Sequence, residues 1–336
     1  VTTSSSQSGK PAAGPPSAAA SVAPVTSSAG SSRPAGAATR PLLPLAAVLT
    51  TVLMWASAFV VIRWAAPDIS PGPLALLRLL AGSVTLTVLV LLVRRGRPRL
   101  PRGKALVLTG VFGVAWFAIY TVAFNWAGHY LDAGTIAMIV NLSPLLTALG
   151  AVLFFKEAFS RRLFLGMGIS LAGIALIAVA GSTGRLALTG ILIALAAAFL
   201  YTTGMLVQKV VLRTVDPLTA TWLGCLAGTL ALLPFAAQTA AEWEGVSAGT
   251  LLAAVYMGVG PTALAFWCWG YAMNHFSTGR VASSTLAVPA VVILLSAATL
   301  GEIPPPMAIL GGGVCLAGVA VSQWRRSRPR RSHLPA

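Results

Sequence analysis

Long apolar runs, each near the length of a bilayer crossing and parted by short polar breaks, fill the chain from residue 43 onward. Crossing the hydrocarbon core takes about 20 predominantly apolar residues. The pattern predicts spans near 43–66, 74–93, 105–127, 132–154, 162–180, 187–208, 218–237, 249–271, 279–300 and 307–324. Only the short break His129-Tyr130-Leu131-Asp132 divides the third from the fourth. The fold class read from this is an all-α integral membrane protein of ten transmembrane helices. Residues 1–40 are almost wholly Ser, Ala, Gly, Pro, Thr and Val, with nothing large to bury. They read as a disordered cytoplasmic tail, and with no apolar h-region they are not a secretory signal peptide. The first residue is Val, which reads as an alternative start codon translated literally, with the true start open to a position further in. Residues 325–336 read as a basic cytoplasmic tail.

Composition removes the soluble alternatives. Hydrophobic residues make up 57% of the 336, charged residues 9%, and the mean hydropathy is +0.84. A soluble domain carries roughly 25% charged residues, so a chain this poor in charge must turn most of its surface to lipid. The net charge of +16 would ordinarily raise nucleic-acid binding, but the basic residues fall in short loops and tails. If both termini are cytoplasmic, 20 of the 23 Lys and Arg residues lie on the cytoplasmic side, six of them between Arg94 and Lys104. That bias is what orients a multi-pass protein in the cytoplasmic (inner) membrane. The exceptions are Arg63, Arg78 and Arg185. The expected partners are the lipid bilayer and a small-molecule solute, with nucleic acid excluded and a homodimer left open. Cys225, Cys268 and Cys315 lie more than forty residues apart inside apolar runs. They suggest neither metal site nor disulfide framework, and no cofactor is expected.

The second half repeats the first. At a shift of 145, Pro144 and Glu157 fall on Pro289 and Glu302, Gly166 and Gly168 on Gly311 and Gly313, Ala172-Gly173 on Ala317-Gly318, Gly134 on Gly279, and Gly113 on Gly258. The units are residues 43–180 and 187–324. Each holds five spans, an odd number, so the second enters the membrane upside down. That puts Glu157 at the inner face and Glu302 at the outer. Inverted repeats with a site near the midplane are a secondary-transporter architecture.

Candidate chemistry gathers at mid-depth. Pro144 and Pro289 each free the carbonyl four residues back, at Val140 and Thr285. Such carbonyls either line a cavity or mark a kink that serves assembly alone. Asn141 should face the bundle, as a ligand group or as helix–helix glue. Trp55, Trp116, Tyr120, Tyr201, Trp267, Trp269 and Tyr271 carry aromatic faces with polar handles, Tyr120 and Trp267 being the deepest. Arg78 either snorkels to the outer headgroups or turns its donor fork into the cavity, toward a substrate carboxylate or a freed carbonyl. Gly168-x-x-x-Ala172 and Gly313-x-x-x-Ala317 read as small-residue scaffold contacts. No carboxylate lies at mid-depth, which points to facilitated diffusion or exchange rather than steep ion coupling.

Trp55-Ala-Ser57-Ala-Phe59, Pro71-Gly-Pro73 with Arg78, Asn141-x-x-Pro144, Glu157 and Gly166-x-Gly168-x-x-x-Ala-Gly173 together resemble the drug/metabolite transporter superfamily, EamA family. The second unit keeps Pro289, Glu302, Gly311-Gly-Gly313 and Ala317-Gly318, but has Leu223 opposite Arg78 and Leu286 opposite Asn141. The resemblance covers about residues 45–325. It implies a carrier of a small metabolite or drug-like solute, with efflux the direction by analogy; with the residue reading above, the candidates for the substrate path are Trp55, Ser57, Arg78, Tyr120, Asn141, Pro144, Tyr201, Trp267, Thr285 and Pro289. A channel or a non-transporting membrane adaptor is the alternative. An intramembrane enzyme is disfavoured because HExxH, a membrane aspartate pair and a P-loop are all missing.

Overall fold

The computed structural model describes residues 42–95, 100–156, 161–180, 185–276 and 284–323. Both expected tails lie outside these residues, as do Glu157, Gly279, Ser283 and Trp324. Among the described residues every element is helical. We number the helical runs α1 (Leu42–Ala65), α2 (Pro71–Val93), α3 (Lys104–Ala127), α4 (Ala133–Val140 continued by Ser143–Phe155), α5 (Arg161–Ala180), α6 (Arg185–Val211), α7 (Pro217–Ala231 continued by Leu233–Glu242), α8 (Ala248–His275), α9 (Thr285–Leu300) and α10 (Pro306–Gln323). Six are long and apolar enough to cross a bilayer, and α7 makes a seventh if its two parts, bent by 44°, are one crossing. The apolar stretches of α5, α9 and α10 are shorter.

Local chemistry sets the ends. Asp132 caps α4 by accepting from the Thr135 backbone N–H at 2.8 Å, and Asp216 caps α7 by accepting from that of Thr219 at 3.1 Å. The Ser247 hydroxyl accepts from the Thr250 N–H at the start of α8. Pro71 opens α2, where a missing N–H costs nothing. Gly301, with φ +66°, stops α9 in a left-handed conformation that suits glycine.

The repeat is visible in how α5 meets α10. A Cβ added at Gly166 would lie 2.5 Å from the Gly318 carbonyl oxygen, and one added at Gly173 would lie 2.5 Å from that of Gly311. Gly318 is the repeat counterpart of Gly173, and Gly311 that of Gly166. Between them the Ser170 hydroxyl donates to the carbonyl of Cys315, its own counterpart, at 2.9 Å. Each residue therefore touches its partner's equivalent across antiparallel helices. That is the exchange a twofold axis imposes, here an axis perpendicular to the two helices. The interface uses positions 166, 170 and 173, spaced i, i+4, i+7. Gly168 and Gly313, expected at this contact, have open space around them instead. Two residues further along, the helix has turned them roughly 200° away.

Two further irregularities recur at the same shift. Helix α3 contains a π-helical segment, Gly113–Tyr120, and α8 contains one at Gly258–Leu264. Gly113 lies against the Gly224 backbone of α7, and Gly258 against the Arg78 backbone of α2. At the expected kinks the helices are locally irregular: α4 leaves helical geometry at Asn141-Leu142, and α9 begins, among the described residues, with a 3-10 turn over Thr285–Ala287. Pro144 and Pro289 then sit in the first turn of the helix that follows, where proline is tolerated.

Candidate functional site

Seven helices converge on a cavity of about 100 Å³. Trp55, Ala58 and Phe59 enter it from α1, Arg78 from α2, and Trp116, Tyr120 and Phe124 from α3. The α4 break contributes Val140, Asn141, Ser143 and Pro144; Tyr201 comes from α6, Pro261 and Phe266 from α8, and Thr285 and Val288 from α9. Among the described residues α5 and α10 contribute none, in keeping with a scaffold role.

The walls are aromatic and mutually braced. Trp116 and Tyr201 lie 4.7 Å apart between ring centres, Phe59 and Phe124 4.6 Å, Tyr120 and Tyr201 5.5 Å, and Trp55 and Phe266 5.7 Å. Tilted and edge-on pairs of this kind fix ring orientation. Polar groups are few and placed at the irregular backbone. The Ser143 hydroxyl donates to the Val140 carbonyl, so the oxygen freed by Pro144 is satisfied locally. The Asn141 amide donates to the Ala137 carbonyl at 3.1 Å. Arg78 turns inward rather than toward the headgroups. Its Nε donates to the Thr262 hydroxyl at 3.2 Å, and its Nη1 is buried without a partner among the described residues.

Of the residues singled out in the sequence, Trp55, Arg78, Trp116, Tyr120, Asn141, Pro144, Tyr201 and Thr285 meet in this cavity. Ser57, Trp267 and Pro289 do not. Ser57 opens onto a lateral groove, its hydroxyl 2.6 Å from that of Tyr256. Pro289 is buried in the first turn of α9 after the break. Trp267 is 52% exposed on the outside of the bundle, and its neighbour Phe266 takes the inner position. Pro261 and Phe266 both line the cavity five residues apart, the spacing of the π segment Gly258–Leu264, whose hydrogen bonds run i→i+5, and Trp267 stands one position, about 100°, further round the helix.

Polar ties hold the bundle at both ends. At one end Arg63 Nε meets Glu302 at 2.9 Å and Arg63 Nη1 donates to the Gly128 carbonyl at 3.0 Å. Arg63 stands one turn beyond Phe59 on α1, so this pair lies over one end of the cavity. At the same end Asp68 accepts from the Ser247 and Thr250 hydroxyls, both at 2.8 Å, and these hold its carboxyl below the usual range. Nearby His129 is pushed down by burial and by Arg63, with Glu242 opposing, so its ring is neutral at neutral pH. At the opposite end Arg94 pairs with Asp216 at 2.7 Å. Partial burial pushes the Asp216 carboxyl up, but the Thr219 hydrogen bonds and Arg94 outweigh it and hold it below the usual range.

The chain matches the EamA-like transporter family over residues 42–179 and again over 188–323. A probable terminal-alkyne amino-acid exporter of Streptantibioticus cattleyicolor is 32% identical over 287 residues, covering 85% of this chain and 95% of the relative. A probable amino-acid metabolite efflux pump of Salmonella typhimurium is 26% identical, covering 82% and 92%. One solved crystal structure aligns with a TM-score of 0.57 at 20% identity, over 83% of this chain and 96% of its own, a likeness of fold. The doubled match takes in nearly the whole helical region, and the chain belongs to the EamA-like transporter family.

Proposed function

We propose that the chain is a secondary carrier that exports a small amino-acid-like metabolite across the cytoplasmic membrane, by alternating access of the central cavity. The observation that carries this reading is the cavity's place between two antiparallel, twofold-related repeats, where each half can rock against the other around a fixed site. The path residues are Trp55, Arg78, Tyr120, Asn141, Pro144, Tyr201 and Thr285. The irregular stretches at Asn141-Leu142 and Thr285–Ala287 serve as paired hinges, since each gives its helix a point of bending beside the cavity. The printed names of the relatives support both the amino-acid class and the outward direction. The test is flux of labelled L-leucine in proteoliposomes. A carrier gives saturable uptake and transient counterflow against an internal load. Non-saturating flux would identify a channel, and no flux with leucine or other neutral amino acids would favour an adaptor.

A further inference from the structure

We propose that Arg78 is the carboxylate anchor of the central cavity, and that the site takes small apolar monocarboxylates whose amino group is dispensable. This deepens the carrier reading and rests on it for the identity of the cavity as the substrate site.

The arginine is held and yet unsatisfied. Thr262 lies in the π segment of α8, where its hydroxyl donates to the Met257 carbonyl five residues back at 2.9 Å. The hydroxyl's proton is thereby committed, and its lone pairs are left to accept from Arg78 Nε at 3.2 Å. With Nε fixed, the planar guanidinium has one orientation set, and Nη1 remains buried with no partner among the described residues. A desolvated donor of this kind is costly unless something occupies it.

Nothing described on the chain supplies the counter-charge. No Asp or Glu lines the cavity among the described residues. Glu302 is engaged by Arg63, Asp216 by Arg94, Asp68 by two hydroxyls, Asp132 by Thr135 and Glu242 by the Ser70 N–H, all at helix ends. Nor does the fold require a cation at this position. The repeat counterpart of Arg78 is Leu223, at the equivalent place on α7. A leucine therefore satisfies the same architecture, and the charge is an addition made in one half only.

A carboxylate fits the unpartnered Nη1 as a charge-assisted hydrogen-bond acceptor. The remaining wall, with Trp55, Trp116, Tyr201 and Phe266, is aromatic and holds no acid to demand an ammonium. The volume of about 100 Å³ equals roughly seven waters, which suits a substrate of leucine size. The selectivity that follows is asymmetric: losing the carboxylate is severe, and losing the amine is mild.

The experiment measures ligand-induced thermal stabilisation of the purified protein with four probes: L-leucine, 4-methylpentanoate, L-leucinamide and isopentylamine. Leucine and 4-methylpentanoate should act within a fewfold of each other, and the two carboxylate-free probes at least tenfold more weakly. Arg78→Met should abolish that preference while its ligand-free melting temperature stays level or rises. Arg78→Lys, which keeps the charge but loses the fork, should bind carboxylates at least tenfold more weakly than the parent. Leucinamide binding as well as leucine, or a preference retained in Arg78→Met, would overturn the anchor. So would the absence of binding by all four probes. Leucine counterflow in the same preparation separates the two readings. Flux without carboxylate preference refutes the anchor alone, and preference without flux refutes the carrier alone.

Discussion

Phe266 and Trp267 are adjacent in sequence and face opposite ways, one into the cavity and one out of the bundle. Phe266→Ala should therefore weaken leucine binding and flux at least tenfold, and Trp267→Leu should leave both within twofold, as measured by counterflow in proteoliposomes. The reverse ranking would mean that the π segment does not set the face of α8. Trp267 was singled out for its depth in the span, and depth alone does not say which face of the helix a side chain occupies. Glycine at 113 and 258, matched at the repeat shift, is the first residue of each π segment, but the match marked only the duplication and not the local geometry. Tyr120 and Asn141 were legible because a polar group deep in an apolar run tends to turn inward, whereas Arg78, close enough to the span's end to snorkel, was placed only by its contact with Thr262. A second residue-scale prediction concerns Asp216, whose folded carboxyl lies below its ordinary value of 3.8. The stabilisation it contributes is complete above the unfolded value and is lost as pH falls through the folded one. Asp216→Ala removes both the helix cap and the Arg94 pair and should cost about 1 kcal/mol near neutral pH. Asp216→Asn keeps the cap and should cost less than about 1 kcal/mol, since the pair is partly exposed. Stability measured against pH should show both deficits shrinking at pH below the usual carboxylate range; deficits that persist unchanged there would contradict the assignment.

At the scale of elements, α5 and α10 act as a clasp that joins the two repeats outside the cavity. Gly173→Ala would place a methyl group 2.5 Å from both the Cys315 backbone nitrogen and the Gly311 oxygen. Overfilled contacts of this kind typically cost about 1–3 kcal/mol. Gly168→Ala meets nothing within 4 Å and should be neutral or, through helix propensity, stabilising by up to about 1 kcal/mol. Thermal unfolding in detergent distinguishes them, and equal effects at the two glycines would break the proposed register. The pairing of small residues was visible in the sequence, whereas the choice between two glycines two positions apart needed the partner helix. The α4 and α9 interruptions have a similar history. Pro144 and Pro289 located them, but the extent of the break depends on Asn141 and Leu142 leaving the helix and on Ser143 capping Val140.

For the whole molecule, duplication was the most informative feature of the sequence, because an odd number of spans per unit forces inversion. The α5–α10 exchange gives that inversion a geometric form. What the sequence withheld was convergence: seven helices contribute to one cavity, and no local pattern reveals which faces meet at long range. The Arg63–Glu302 pair at one end and the Arg94–Asp216 pair at the other tie elements that alternating access would have to part. Partly exposed ion pairs are each worth about 1 kcal/mol or less, so breaking one end while closing the other is within reach of binding energy. The most direct test places a cysteine at Ala58, which is buried in the cavity wall on α1, in a variant with Cys225, Cys268 and Cys315 replaced. Membrane-impermeant thiol reagents are then applied to one side or the other of sealed vesicles. The account predicts that Ala58→Cys reacts from both sides, never through a path open to both at once, and that saturating leucine on one face changes the rate from the opposite face. A cysteine that reacts freely from both faces while small ions leak through, or that reacts from neither, would contradict it.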